Sequence, residues 1–562
     1  MVNKVIKLFR REVAGLHEAA ILLGLFALAS QFLGLIRDRL LAGSLGAGTA
    51  LDIYYSSFRI PDLIFATIAS FVSVTVLIPL LGQKISEGRI AEARNFMAGI
   101  FSSFLIVMTI ISSFVFLLMP FLAEWLAPGF DQEARQEMIL LSRILLLSPI
   151  LLGLSNLYGS ITQAYKKFLL YSLCPVFYNL GIIVGIVFFL PRLGLSGIVW
   201  GVILGSLFHF LLQVPSIIEF EFWPRLSLTA IKQNFGDIKK VVLISLPRTI
   251  TLSINQIALF FVVALASVLG QGAISIFNLS FNLQSVPSVI FGVSYSVAAF
   301  PTLSNLFYKK QMKEFLGKIR EASQHIIFWS LPATALFIVL RAQIVRVILG
   351  SGEFGWTATR LTAACLALFS ISVVTQGLVH LFVRAYYAGG LTKKPLFINV
   401  LSSLLAIVSA FGLVYLYSRV DFLRYVVEKL LRVENLEGSI ILMLPLAFSL
   451  GSIVNVVLML WMFKKDFNFE LRPLADTFIR ALLASLLGGA VSYQLLNWLV
   501  RFFDLNTFVG VFAQGFLAGL GGIVAMFVAL WFLRSQELKH LMVSLRHKFW
   551  KVDVVRPEPE EL

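Results

Sequence analysis

Charged residues lie inside two segments that are otherwise apolar enough to cross a membrane. Arg37 and Asp38 follow the first apolar run, and Asp52, Arg59 and Asp62 lie within the second. A charged side chain at bilayer depth costs about 2.5–3.5 kcal/mol on insertion scales, so such residues generally face a cavity or a partner. An arginine can engage a phosphate oxyanion through two parallel hydrogen bonds. The pattern therefore indicates either a cavity for an anionic group or structural ion pairs between the two helices.

Two later apolar segments contain further polar residues at membrane depth. Arg248 follows Pro247 early in one segment, and the next segment contains Asn278 and Asn282. An arginine near a helix end can extend its charge to the membrane surface, and asparagines can hydrogen-bond between helices. These residues are candidates for the same cavity, with a purely structural role as the alternative.

Sequence motifs of enzymatic chemistry are absent. The chain has no Walker motif, dinucleotide-binding fingerprint, zinc-ligand spacing or nucleophile elbow, and its histidines are scattered. Its two cysteines, Cys174 and Cys365, lie within apolar segments. We therefore predict no catalytic residue, no metal site and no cofactor, and we do not expect an enzyme.

The composition indicates a membrane environment. Of the 562 residues, 58% are hydrophobic and only 14% are charged, and the mean hydropathy is +0.89. A soluble protein of this composition could not cover its surface with polar groups. Apolar runs of about 20 residues recur from end to end, which is typical of membrane-spanning helices. We predict an all-α polytopic membrane protein with about 14 transmembrane helices.

The net charge of +16 is distributed as a membrane topology signal. Lysines and arginines cluster in the loops after even-numbered spans, whereas most loops after odd-numbered spans contain few of them. Cytoplasmic loops have such an excess of basic residues. The pattern predicts a multi-pass protein with both termini in the cytoplasm, and it argues against a nucleic-acid partner.

Weak internal repetition and loop composition predict the organisation of the chain. A glutamine, a glycine-rich turn and a proline recur in the same order in spans 1–2 and spans 7–8, as in transporters built from two repeats. One outer loop has the pattern of an amphipathic helix on the membrane surface, with a small soluble excursion as the alternative. The predicted segments are a cytoplasmic N-terminal segment (1–16), an N-lobe of six spans (17–220), a cytoplasmic linker (221–239), the first five helices of a C-lobe (240–417), the outer amphipathic loop (418–437), the twelfth span (438–463), the last two spans (475–534) and a cytoplasmic tail (535–562).

Several motifs resemble those of one membrane protein family. They are LGLIRD (33–38), GAG (46–48), FRIPDL (58–63), PTLSN (301–305) and RAYYAGGLTKKP (384–395). In this order they resemble the MurJ/MviN lipid II flippases of the multidrug, oligosaccharidyl-lipid and polysaccharide exporter superfamily. The resemblance implies two pseudo-symmetric six-helix lobes plus two C-terminal helices, with a central cavity. It also implies a bacterial cytoplasmic membrane protein that moves the undecaprenyl-pyrophosphate-linked peptidoglycan precursor to the outer leaflet by alternating access.

The same resemblance shows where this chain differs from the family pattern. Gln31 and Asn282 occupy positions where the family usually has arginine, and Phe65 and Ala66 stand in place of an arginine pair. The expected cationic site is therefore reduced. The residues that we predict to bind the pyrophosphate headgroup are Arg37, Arg59, Arg248, Asn282 and Gln31. The residues that we predict to orient the arginines or to respond to ions are Asp38, Asp52 and Asp62.

The reduced cationic set leaves three functions open. The first is a flippase for a lipid-linked precursor with a pyrophosphate headgroup, which would also contact membrane lipids. The second is a related exporter of another polyprenyl-linked glycan or of a small molecule. The third is a non-transporting scaffold that recruits cell-wall synthesis machinery through its basic cytoplasmic face.

Overall fold

The structure is a computed structural model that describes residues 16–68 and 74–539, without the side chains of residues 16–21, 74–76, 247 and 248. Within these ranges the regular elements are all helices, numbered here in chain order. The first helices are α1 (Leu16–Leu45), α2 (Thr49–Ser57), α3 (Arg59–Ile68), α4 (Val74–Ser86), α5 (Ile90–Leu126), α6 (Gln132–Leu145), α7 (Leu147–Ala164), α8 (Phe168–Val184), α9 (Leu190–Leu193), α10 (Leu195–Leu211), α11 (Val214–Glu219) and α12 (Leu228–Gln233). The remaining helices are α13 (Phe235–Ser267), α14 (Ala273–Pro287), α15 (Ser294–Tyr308), α16 (Met312–Val339), α17 (Arg341–Ile348), α18 (Trp356–Ser370), α19 (Ser372–Ala388), α20 (Lys393–Arg419), α21 (Asp421–Leu431), α22 (Met443–Phe467), α23 (Arg472–Leu499) and α24 (Phe508–Phe532).

Many of these helices have the length and composition of membrane spans. Eleven of the described helices qualify, and the number is twelve if α18 and α19, which meet at a bend of 43°, form one span. The prediction of an all-α polytopic membrane protein is therefore confirmed. The two predicted spans outside this count are the first and the second, which are also the two that contain the charged residues described above.

The second predicted span is not one continuous helix over residues 50–81. α2 ends at Ser57 and α3 begins at Arg59. In an unbroken helix, Pro61 would lack the N–H that donates to the carbonyl of Ser57, and its ring would clash with that carbonyl. The break places Pro61 in the first turn of α3, where a missing donor is tolerated. Pro61 therefore explains why this span is divided into two helices immediately before Arg59.

The chain forms two compact units. The first contains Met1–Leu283, Ile348–Phe369 and Thr392–Asn455, and the second contains Gln284–Val347, Ser370–Leu391 and Val456–Leu562. In the first unit, α8 packs against α1 and α10, and in the second unit α16, α23 and α24 pack together. The lobe boundaries expected from the sequence stay a prediction.

Glycines allow α8 and α10 to approach each other closely. A Cβ atom at Gly181 would lie 2.3 Å from the Cα of Gly205, and one at Gly201 would lie 2.4 Å from the Cα of Gly185. Small residues at helix contacts are typical of membrane proteins, where helices associate through close packing instead of the hydrophobic effect. The pairing holds α8, which contributes to the site described below, against its neighbour.

We expect Gly201→Ala to destabilise the protein by about 1–3 kcal/mol, because the added methyl group would meet backbone atoms of α8 and force the helices apart. The measurement is the thermal unfolding midpoint of the detergent-solubilised protein. Gly24→Ala is the matched control, since a Cβ atom there has no heavy atom within 4 Å. Equal unfolding midpoints for the two variants would contradict the close packing.

Candidate functional site

A cavity of about 310 Å³ lies within the first unit. Six helices contribute to it, namely α1, α2, α3, α8, α13 and α14. Its lining combines charged, amide and aromatic side chains: Arg37, Leu41, Tyr54, Tyr55, Phe58, Arg59, Asp62, Tyr178, Ile182, Gln256, Leu259, Phe277, Asn278, Phe281 and Asn282. Charged residues from the first two predicted spans therefore meet polar residues from the seventh and eighth.

Arg37 is held in place on two sides. Its Nε and Nη2 atoms donate to Oδ1 of Asp38 at 3.0 and 2.8 Å, and its Nη1 donates to Oδ1 of Asn179 at 3.0 Å. The Asn179 amide in turn donates to Oγ of Ser30 at 3.1 Å and to the carbonyl of Pro175 at 3.1 Å. These contacts join α1 to α8 and fix the guanidinium plane at the cavity wall.

Asp38 connects Arg37 to α14. Its side chain is buried, and its Oδ2 accepts a hydrogen bond of 3.0 Å from Nδ2 of Asn282. The carboxylate therefore compensates the charge of Arg37 on one side and binds an amide on the other. This geometry supports the predicted orienting role of Asp38.

Arg59 contacts the same helix one turn earlier. Its Nη2 donates to Oδ1 of Asn278, and the Asn278 amide donates to the carbonyl of Ile274 at 2.7 Å. The Nε atom of Arg59 is buried and has no hydrogen-bond partner among the described residues. Asn278 and Asn282 are four residues apart and share one face of α14. That face therefore binds a charged residue from each of the first two predicted spans.

Asp62 lines the cavity beside these groups. The hydrogen bond of Arg59 goes to Asn278, although Asp62 lies only three residues away on α3. Among the described residues, the Asp62 carboxylate has no hydrogen-bond partner, and it lies at the cavity surface. It is thus an acidic group facing the same space as the two arginines.

Asp52 lies outside the cavity lining and caps a helix. Its Oδ2 accepts from the backbone N–H of Gly272 at 2.6 Å, and its Oδ1 accepts from the backbone N–H of Ser275 at 2.7 Å and from its hydroxyl. These donors belong to the start of α14, where free N–H groups and the helix dipole favour a negative charge. Asp52 therefore fixes α2 to the beginning of the helix that presents Asn278 and Asn282.

The other two predicted binding residues do not add to the described cavity. Gln31 is half-buried in α1, six residues before Arg37, and it is not among the described lining residues. Arg248 belongs to α13, but its side chain lies outside the described part of the structure. Of the five predicted binding residues, Arg37, Arg59 and Asn282 come together.

The sequence interpretation did not assign several of the cavity residues. Tyr54, Tyr55 and Tyr178 form part of its wall, and Gln256 contributes an amide. The Tyr55 hydroxyl and the Gln256 Oε1 are buried without a hydrogen-bond partner among the described residues. Tyr54 and Tyr55, one turn before Arg59 in an apolar span, could have indicated the cavity from the sequence. Buried tyrosine hydroxyls usually have a hydrogen-bond partner, so such a pair suggests a polar neighbour.

The arrangement can bind a polar anionic ligand beside an aromatic surface. Two guanidinium groups lie at one cavity, and the ring of Tyr54 packs edge-on against Phe58 at 4.9 Å. Nε of Arg59 and the hydroxyl of Tyr55 are unused donors, and they can supply hydrogen bonds to an oxyanion or hydroxyl. The charges of Arg37 and Asp38 sum to zero, and so do the charges of Arg59 and Asp62.

The chain is similar to known proteins in sequence and in fold. The family model described as "Lipid II flippase MurJ" matches residues 41–514. A "Probable lipid II flippase MurJ" from Buchnera aphidicola subsp. Baizongia pistaciae is 26% identical over 391 residues, which cover 68% of this chain and 75% of the relative. A "Lipid II flippase MurJ" from Burkholderia cenocepacia is 25% identical over 397 residues, which cover 68% of this chain and 76% of the relative.

Solved structures of similar fold include a lipid II flippase and a multidrug transporter. One described as "Lipid II flippase MurJ, inward closed conformation" has a TM-score of 0.72 at 21% identity, and the match covers 93% of this chain and all of the other. An inward-facing multidrug resistance MATE family transporter has a TM-score of 0.60 at 15% identity, covering 78% of this chain and 95% of the other. At these identities the similarity concerns the fold.

Proposed function

The chain belongs to the lipid II flippase MurJ family, and from this premise we propose that it moves lipid II from the inner to the outer leaflet of the bacterial cytoplasmic membrane. Alternating access of the polar cavity would carry the headgroup across while the lipid tail stays in the membrane. Both termini would be cytoplasmic, in accordance with the basic loops. The activity is transport, without a catalytic residue or a cofactor.

The observation that supports this proposal is the convergence of Arg37, Arg59 and Asn282 on one cavity between apolar helices. A pyrophosphate group presents oxyanions that match guanidinium donors. We propose that Arg59 is the main ligand, because its Nε is unpaired among the described residues, while Asp38 and Asn179 hold Arg37 at the wall. The tyrosines and Gln256 would contact the polar groups next to the phosphates.

The negative charge of Asp62 favours a second candidate function. With Asp38 and Asp62 opposite Arg37 and Arg59, the formal charge of these four groups is zero, which is less favourable for a doubly negative headgroup than a cationic site. A related exporter of a less charged polyprenyl-linked glycan or of a small molecule would fit this balance. A multidrug resistance MATE family transporter has a similar fold.

Complementation tests the proposed function directly. We expect the protein to restore growth and the surface exposure of lipid II in a bacterium depleted of its own flippase. The control is the double variant Arg37→Ala/Arg59→Ala, which should not restore exposure when transport is compared per molecule present in the membrane. A well-expressed wild-type protein that leaves lipid II in the inner leaflet would argue for another cargo. Full activity of the double variant would exclude the proposed headgroup site.

A further inference from the structure

Helix α21 exposes apolar side chains and buries a charged one. Phe422 is 76% exposed, Leu430 is 75% exposed and Tyr425 is 56% exposed, whereas Glu428 is only 8% exposed. A surface helix in water shows the opposite distribution, with its apolar stripe turned inward. The exposed residues 422, 425, 426 and 430 share one face of the helix, because side chains three and four positions apart are neighbours.

Hydrogen bonds to Glu428 fix the rotation of the helix. The Glu428 Oε1 atom accepts from the Tyr417 hydroxyl at 2.9 Å, from the Ser439 hydroxyl at 2.8 Å and from Nε of Arg424 at 3.0 Å. Burial by itself would raise the pKa of Glu428, but the donors from Ser439, Arg424 and Tyr417 outweigh it and hold the pKa below the usual value. The outward direction of the apolar face is therefore built into the fold.

α21 directly follows a helix that has the length and composition of a membrane span. α20 is one of the helices with the length and composition of a membrane span, and it ends at Arg419, two residues before α21 begins. The last turns of α20 expose Tyr415 and Leu416, and the exposed Phe422 follows six residues after Leu416. On α21 the Lys429 amine donates to the Tyr425 hydroxyl at 2.8 Å. Aromatic rings beside a lysine are typical of the membrane–water interface.

We propose that α21 is an interfacial membrane anchor whose face of Phe422, Tyr425, Val426 and Leu430 inserts among the lipids at the end of α20. The lipids that surround the end of α20 also cover this face. The exposed apolar side chains therefore contact lipid instead of water. The anchor fixes the loop between the eleventh and twelfth predicted spans to the membrane surface. It is independent of the transported cargo, so it stands whether or not the proposed function is correct.

Depth-dependent quenching tests this proposal. The full-length protein is labelled with an environment-sensitive fluorophore at Phe422→Cys, Leu430→Cys or Glu434→Cys and reconstituted in phosphatidylcholine–phosphatidylglycerol vesicles. Glu434 follows α21 and is exposed, so it is the control, and the native Cys174 and Cys365 are buried. We expect a spin-labelled lipid to quench positions 422 and 430 about threefold more than position 434, and aqueous iodide to show the reverse order.

Two outcomes would overturn the anchor. Equal iodide quenching at positions 422 and 434 would mean that α21 is a soluble excursion. Fluorophore self-quenching that grows with the protein-to-lipid ratio would mean that a second copy of the chain covers the face. Positions 422 and 430 are labelled independently, so failure of one variant to fold leaves the other to decide. Glu428→Gln provides a further check, since weaker hydrogen bonds should let the helix rotate and reduce the lipid quenching at both positions.

Discussion

Replacing Arg59 with alanine is expected to reduce transport at least about 30-fold, the largest loss among single substitutions in the cavity. In the proposed complex Arg59 pairs with a phosphate group, and loss of one partner of such a buried charged pair costs about 2–5 kcal/mol, where about 1.4 kcal/mol corresponds to a factor of ten. Arg59→Lys should keep part of the activity, because an ammonium group preserves the charge but lacks the planar fork of donors. The measurement is the rate at which lipid II becomes exposed at the surface of flippase-depleted cells.

A matched control separates the function of Arg59 from a general need for intramembrane arginine. Arg143 belongs to α6, donates to the carbonyl of Phe116 at 3.1 Å and does not contribute to the described cavity. We expect Arg143→Ala to leave transport close to the wild-type rate at equal abundance. Transport by Arg59→Ala at the wild-type rate would remove Arg59 from the binding site and favour a purely structural role.

Asn278 gives a second route to the same conclusion. Because it accepts the hydrogen bond from Nη2 of Arg59, Asn278→Ala should leave the guanidinium in place but without its fixed orientation. The structure therefore predicts an intermediate loss, smaller than that of Arg59→Ala and not additive with it. An additive double variant would mean that the two residues act separately.

The sequence was sufficient to predict the helical membrane fold and the location of the charged residues. Both follow from local properties, since apolar runs of about 20 residues have few alternatives in a membrane. The second span shows the limit, because one helix was expected where the structure has two, the first ending at Ser57 and the second beginning at Arg59. Proline can kink or break a helix, and tertiary packing decides which of these occurs.

The partners of the charged residues could not be predicted, because they come from distant parts of the chain. Arg59 and Asp62 are three apart, a spacing that can bring two side chains together on a helix, but the hydrogen bond of Arg59 goes to Asn278. Asn179 lies in a different predicted span, yet it accepts a hydrogen bond from Arg37 across 142 positions. Such contacts depend on how helices pack, and no local period in the sequence encodes them.

The second large effect is expected for Asp52→Ala, and it concerns stability. The substitution removes the acceptor of three donors at the start of α14, from the backbone of Gly272 and from the backbone and hydroxyl of Ser275. Hydrogen bonds to a charged group contribute about 1.5–3 kcal/mol each, so we expect a loss of at least about 3 kcal/mol. The thermal unfolding midpoint of the solubilised protein and its abundance in the membrane measure this loss.

Asp131 provides the control for this prediction. It also caps a helix, but its Oδ1 accepts only from the backbone N–H of Ala134 at 2.8 Å, and the residue is exposed. Asp131→Ala should therefore cost about 1 kcal/mol, as for an ordinary surface cap. Similar losses for the two variants would mean that the cap of Asp52 is no stronger than a surface cap.

The Asp52→Asn variant separates the two roles proposed for this residue. An asparagine keeps one acceptor oxygen, but its NH2 group would face one of the N–H donors at the start of α14. The free energy of unfolding should therefore fall by an intermediate amount. If Asp52 acts only as a helix cap, transport per folded molecule should stay near the wild-type rate, because Asn278 and Asn282 remain on a correctly placed α14. If it responds to ions instead, transport should fall while the unfolding midpoint changes little. The role as a helix cap is favoured because the Asp52 carboxylate already accepts three hydrogen bonds and the residue is only 2% exposed. An ion would have to displace these donors.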